Sequence, residues 1–166
     1  MDPFEDVLTA NAGYGRRFAD AHIAGKAARG LAVVTCMDSR ISPLEMLGLQ
    51  PGDAKILRNA GARVTEDVLR TLVLAVHLLE VTRVMVVPHT DCRMTEVTDD
   101  EVHAELLAHG VDSRSLEFRT ISDQVEALRR DVQRIRSSPY LPAGLPVLGG
   151  IYDVSTGLIE VAVPPG

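Results

Sequence analysis

Leu31-Ala32-Val33-Val34-Thr35-Cys36-Met37-Asp38-Ser39-Arg40 begins as an apolar, β-branched run and ends in a cluster of reactive side chains. The run is too short for a core helix and has no polar alternation. It therefore reads as a strand buried on both faces, the pattern of a parallel sheet. Val84-Met85-Val86-Val87 repeats the pattern and leads into Pro88-His89-Thr90-Asp91-Cys92. In an open parallel sheet, ligands bind beyond the carboxyl ends of the strands. If these two strands are neighbours, both polar tails lie on one edge.

Working outward, a helical pattern runs from residue 4 to about 25, with Phe4, Leu8, Ala12 and Phe18 near helical spacing and Gly13 and Gly15 weakening its middle. Strand 31–36 is followed by a short helix opened by Ser42-Pro43-Leu44-Glu45 and ended near Gly48, then by strand 54–58. Helix 66–80 is capped by Thr65 and turns Val68, Leu69, Leu72, Val73, Val76 and Leu79 inward. Strand 83–87 follows, then a capping box at Thr98-Asp99-Asp100-Glu101 that opens a helix stopped by Gly110. Helix 122–137 buries Val125, Leu128, Val132 and Ile135, and strand 147–151 turns at Ser155-Thr156-Gly157 into 158–163. Strands alternating with helices imply an α/β fold. Its central β-sheet is mostly parallel and flanked by helices, with an antiparallel edge hairpin near the C-terminus. One domain over 1–166 is expected, as an N-terminal helical arm (1–27) and an α/β core (28–166).

Composition removes several classes of function. The net charge of −6 argues against sequence-independent nucleic-acid binding. No apolar run is long enough to span a bilayer, and the acidic start Met1-Asp2-Pro3-Phe4-Glu5-Asp6 is unlike a signal peptide. The cytoplasm is the expected compartment. There, two cysteines point to metal binding or catalysis over a disulfide.

The two cysteines open and close motifs. Cys36-x-Asp38-x-Arg40 ends the first strand, and His89-x-x-Cys92 follows the other. Two thiolates and an imidazole suit zinc, and three protein ligands leave a fourth position open. A lone buried cysteine is commonly just a small hydrophobe, and Asp38–Arg40 alone could be an ordinary loop ion pair. The pair of motifs outweighs both readings. His22, His77, His103 and His109 lack such partners: His77 is expected to be packed or capped, and His103 and His109 to face solvent. Asn59 and Gly61 are expected to shape the loop beside the pocket, and Asp99-Asp100-Glu101 to be a solvated helix start. A phosphatase loop is excluded because Arg40 arrives too early, and Gly13-Tyr14-Gly15 lacks the strand a dinucleotide site needs.

The two motifs in this order are joined by Gly52-Asp53-Ala54-Lys55-Ile56-Leu57-Arg58-Asn59-Ala60-Gly61 and followed by Gly150-Ile151-Tyr152-Asp153-Val154-Ser155-Thr156-Gly157. Together they resemble the β-class carbonic anhydrases, in particular their short branch, over nearly the whole chain. The resemblance implies one zinc ion per subunit, on Cys36, His89 and Cys92. It implies zinc-dependent reversible hydration of carbon dioxide to bicarbonate and a proton by zinc-bound hydroxide. Asp38 would orient that hydroxide, and Arg40 would hold Asp38 ionised. In some members the matching aspartate swings onto zinc, so Asp38 is also a candidate fourth ligand that switches the site off. By charge counting the open site is near neutral and the closed one about −1, a poorer Lewis acid. A homodimer or homotetramer is implied, with the N-terminal helix reaching across the partner. One departure is Arg93, where the family usually has glycine after the second cysteine. Two alternatives stay open: hydration of a related heterocumulene such as carbon disulfide, and a zinc-bound but catalytically silent regulatory protein.

Overall fold

The computed structural model describes residues 2–166. In chain order the elements are α1 (Glu5–Gly15), a single helical turn (Asp20–His22), β1 (Leu31–Cys36), α2 (Pro43–Met46), β2 (Ala54–Asn59) and a tight turn (Ala60–Ala62). There follow α3 (Glu66–Leu78), β3 (Arg83–Val87), α4 (Arg93–Glu96), α5 (Asp99–Ala108), α6 (Gln124–Arg136), β4 (Val147–Tyr152) and β5 (Ile159–Val163). The sheet order is β2-β1-β3-β4-β5. The first four strands are parallel and β5 returns antiparallel to β4. This is the expected α/β fold with its antiparallel edge.

The strands with continuous apolar runs are central because both of their faces are covered. Ala32 and Val34 of β1 and Val84 and Val86 of β3 pack under α3 and α6, through Val68, Leu72 and Ala75 on one helix and Leu128, Val132 and Ile135 on the other. α6 lies so close to β4 that a Cβ on Gly149 would stand 3.0 Å from both Leu128 and Val132. The opposite face carries Leu31, Val33 and Val87, against which α2 and its flanks pack Leu44, Met46, Leu47 and Leu49. A cleft of about 440 Å³ remains open there, over Leu31, Met85 and Leu148.

Four expectations need correction. The N-terminal helix stops at Gly15 instead of near 25, and none of its residues is buried. Phe4, Val7 and Leu8 are exposed, so their helical spacing describes a face left uncovered by the described residues. The last turn of α3 buries Ala75, while Leu79 lies beyond the helix as its C-cap. His103 is half-buried: its Nδ1 lies 2.8 Å from Ser113 Oγ and its ring is tilted against Phe118. Asp99 is not merely solvated; it accepts the backbone N–H groups of Phe118, Arg119 and Thr120 at 3.0, 3.3 and 2.9 Å. The capping box of α5 forms as expected, between Thr98 and Glu101.

Candidate metal centre

β1 and β3 are adjacent and parallel, with Thr35 opposite Val87, so their carboxyl ends lie side by side. The Thr35 hydroxyl donates to the Val87 carbonyl at 2.8 Å and ties those ends together. Cys36 is the last residue of β1. His89 follows β3 and bridges to Tyr152, where Thr90 N–H donates to the Tyr152 carbonyl at 2.9 Å. Cys92 precedes α4, a one-turn helix the sequence did not reveal, and its carbonyl accepts from Thr95 N–H at 2.8 Å.

The ligand atoms of Cys36, His89 and Cys92 lie within 4.8 Å of one another. All three residues are buried, with exposures of 4%, 0% and 3%. His89 Nδ1 stands 2.7 Å from the Thr90 carbonyl, which can only accept, so Nδ1 carries the proton. Nε2 is then a bare lone pair, buried and without a hydrogen-bond partner. A buried acceptor left unpaired is costly unless something electrophilic meets it. Two thiols and a free imidazole nitrogen at this spacing fit a zinc ion.

The two thiols perturb each other in opposite directions. Cys36 is pulled well below the usual thiol range, chiefly by the Cys92 side chain and also by backbone N–H groups of Gly61 and Asp38, against burial. Cys92 is pushed up by Cys36 and by burial. A dication held here would take both cysteines as thiolates.

Gly61 reaches Cys36 because of its backbone. It lies at φ +76°, and its N–H donates to Cys36 Sγ at 3.4 Å. A Cβ there would press on Ile121 and Met94 at 3.2 and 3.3 Å. Asn59 closes this bend, accepting from Arg63 N–H at 2.8 Å and donating to the Arg63 carbonyl at 2.7 Å. Arg63 is anchored in turn by Asp131 of α6 at 2.7 Å. Asn59 and Gly61 thus shape the loop beside the cluster.

Asp38 and Arg40 form a fork. Arg40 Nε and Nη2 donate to Asp38 Oδ1 and Oδ2 at 3.0 and 2.8 Å, and Arg40 N–H donates to Oδ1 at 2.9 Å. These contacts hold the Asp38 carboxyl well below the usual carboxylate range. Asp38 Oδ2 lies 3.7 Å from His89 Nε2, beside the three donors. Arg93 opens α4 in helical backbone and pairs with Glu96 at 3.2 Å, with its side chain 79% exposed. The left-handed residue of this loop is Asp91, at φ +53°. Glycine's freedom is therefore not required at 93, and the substitution is accommodated.

Three further residues brace the site without belonging to the expected donor set or the Asp38–Arg40 pair. Arg58 Nε donates to the Cys36 carbonyl at 2.9 Å and its Nη2 to the Asp38 carbonyl at 2.6 Å. Gln124 Nε2 donates to the His89 carbonyl at 2.8 Å. Asp91 holds Arg40 from the far side. Arg58 sits opposite Thr35 in the register, one step before the Cys36–Asn59 pair.

Comparison with known proteins agrees with this geometry. The carbonic anhydrase family model matches residues 31–159. β-Carbonic anhydrase 1 of Mycobacterium tuberculosis is 31% identical over 164 residues, covering 99% of this chain and all of that protein. A carbon disulfide hydrolase of Acidianus is 31% identical over 152 residues, covering 77% of this chain and 74% of the hydrolase. The crystal structure of a carbonic anhydrase from Streptococcus mutans superposes with a TM-score of 0.91 at 38% identity, covering 98% of both chains.

Proposed function

Because the chain belongs to the β-carbonic anhydrase family, we propose that it hydrates carbon dioxide reversibly to bicarbonate and a proton, with zinc held by Cys36, His89 and Cys92. The observation that carries this reading is the bare His89 Nε2, buried beside two thiols and one carboxylate. When bound, zinc supplies a Lewis acid with an open fourth position that lowers the pKa of water.

Asp38 has the task of orientation. Its carboxylate accepts a hydrogen bond from the attacking water and aims the oxygen lone pair at carbon dioxide. Arg40 keeps that carboxylate ionised, so Asp38 is too weak a base to keep the proton, which passes to solvent or buffer. The 3.7 Å separation from His89 Nε2 also supports a gate. An Asp38 released by Arg40 would join the three donors as a fourth ligand and close the open position.

Stopped-flow hydration by zinc-loaded protein is expected to rise between about pH 7 and about pH 9, where water acidified by zinc titrates. Asp38, with its depressed pKa, is ionised throughout this window, so its own protonation does not shape the rise. The stability that its pairing contributes is present above the ordinary carboxyl pKa and is lost as pH falls through the depressed value. A flat profile would remove the proposed nucleophile. The carbon disulfide hydrolase relative favours a second reading: turnover of carbon disulfide with no carbon dioxide hydration would select it.

A homodimer or homotetramer belongs to the proposal, with residues 1–27 as an arm that crosses onto a partner and 28–166 as the core. The unburied α1, with Phe4, Val7 and Leu8 exposed, supports it, as does the open cleft on the second sheet face. Light scattering at micromolar concentration is expected to give at least a dimer mass, and a monomer would refute the arm. A reducing compartment such as the cytoplasm suits two free cysteines assigned to metal. No described helix is long and apolar enough to cross a membrane.

A further inference from the structure

Arg40 is gripped from two sides. Asp38 takes its Nε and one Nη2 hydrogen at 3.0 and 2.8 Å. Asp91 takes the rest of the grip: Nη1 donates to Asp91 Oδ2, and Nη2 donates again, to the Asp91 backbone carbonyl at 2.8 Å. Four of the five guanidinium N–H groups are thereby engaged, by residues from both motifs.

Asp91 can do this because of where it lies. It falls between His89 and Cys92 at φ +53°, in the left-handed region that aspartate and asparagine tolerate better than most residues. The turn that delivers both donors to the cluster therefore also aims a carbonyl and a carboxylate at Arg40. We propose that Asp91 is a positioning residue: it anchors the Arg40 guanidinium to the second motif, so that Asp38 is held beside the donors by a fixed partner.

The inference rests on the roles assigned above to Asp38 and Arg40. The physical case is one of side-chain freedom. Arg40 is 46% exposed, and an exposed arginine paired to a single carboxylate gains little for the rotamers it gives up. A second carboxylate and a carbonyl on the same guanidinium share that entropic cost. With them in place, Asp38 meets a donor fork that stays put. Without them, the guanidinium swings with Asp38 or moves into solvent, and the carboxylate loses its aim.

Asp91→Asn tests this cleanly. Asparagine keeps the size, the tolerance for left-handed backbone and the carbonyl contact, and removes only the charge. In zinc-loaded protein, the Arg40 Nε–H resonance, assigned by its absence in Arg40→Ala, is expected to exchange with solvent faster in Asp91→Asn. kcat should fall roughly tenfold, the scale on which groups behind a metal site act, with KM and zinc content unchanged. In an Arg40→Ala background, Asp91→Asn should add nothing, since its effect passes through Arg40. Unchanged Nε–H exchange, or a kcat loss that adds in full to that of Arg40→Ala, would overturn the anchor. If the zinc-loaded parent does not hydrate carbon dioxide, the proposed function fails by itself, and the exchange rate still decides the anchor.

Discussion

Cys92→Ser is expected to lose zinc and carbon dioxide hydration together. A serine hydroxyl is close in size to the thiol, so the buried loop at position 92 can keep its shape. It is not ionised near neutrality and is a harder donor than thiolate, so zinc keeps only two of its three ligands. Metal catalysis of this kind supplies several kcal/mol to the transition state. Losing about 4 kcal/mol corresponds to roughly a thousandfold in rate. Zinc stoichiometry and stopped-flow hydration on the same preparation check it. Hydration retained at low zinc content would overturn the mechanism, whereas loss of both, with unchanged circular dichroism, is the expected pattern.

Asp38→Asn is the second large effect, and it separates orientation from metal binding. The amide keeps the shape of the side chain but turns one acceptor into a donor and abolishes the charge that Arg40 grips at 2.8 Å. Hydration should fall about 10- to 100-fold, as for other groups that orient a metal site's contents. Zinc content should stay near one per subunit, because the three donors are untouched. The variant also lacks the carboxylate needed for closure, so whatever activity remains should show no Asp38-dependent switching off at the acid end of the profile. Loss of zinc from this variant would show instead that Asp38 is a standing ligand.

The elements that carry the donors were legible because burial on both sides writes itself as an unbroken apolar run. β1 and β3 fill the middle of the sheet and have no polar face to interrupt them. α3 and α5 announced themselves through Thr65 and Thr98, whose side chains accept from backbone N–H groups one turn on. α1 misled because periodicity reports a hydrophobic face and not its occupant. α4 has four residues, too few to show any period. The hidden contributors share another property. Arg58, Asp91 and Gln124 act across gaps of 20, 51 and 35 residues in sequence. No local spacing encodes such a contact; it exists only once the strands are in register.

Those long gaps also order the site in time as the chain is made. Both thiols and the imidazole have left the ribosome once residue 92 emerges, along with Asp38, Arg40 and Asp91. The braces come later: Gln124 on the His89 carbonyl, Asp131 on Arg63, and Tyr152 beside Thr90. A nascent chain therefore offers soft metal donors well before it can hold their spacing. A metal captured at that stage meets a floppy chelate with little geometric preference, and selectivity for a tetrahedral ion arrives only when β4 docks against β3 and locks the loop.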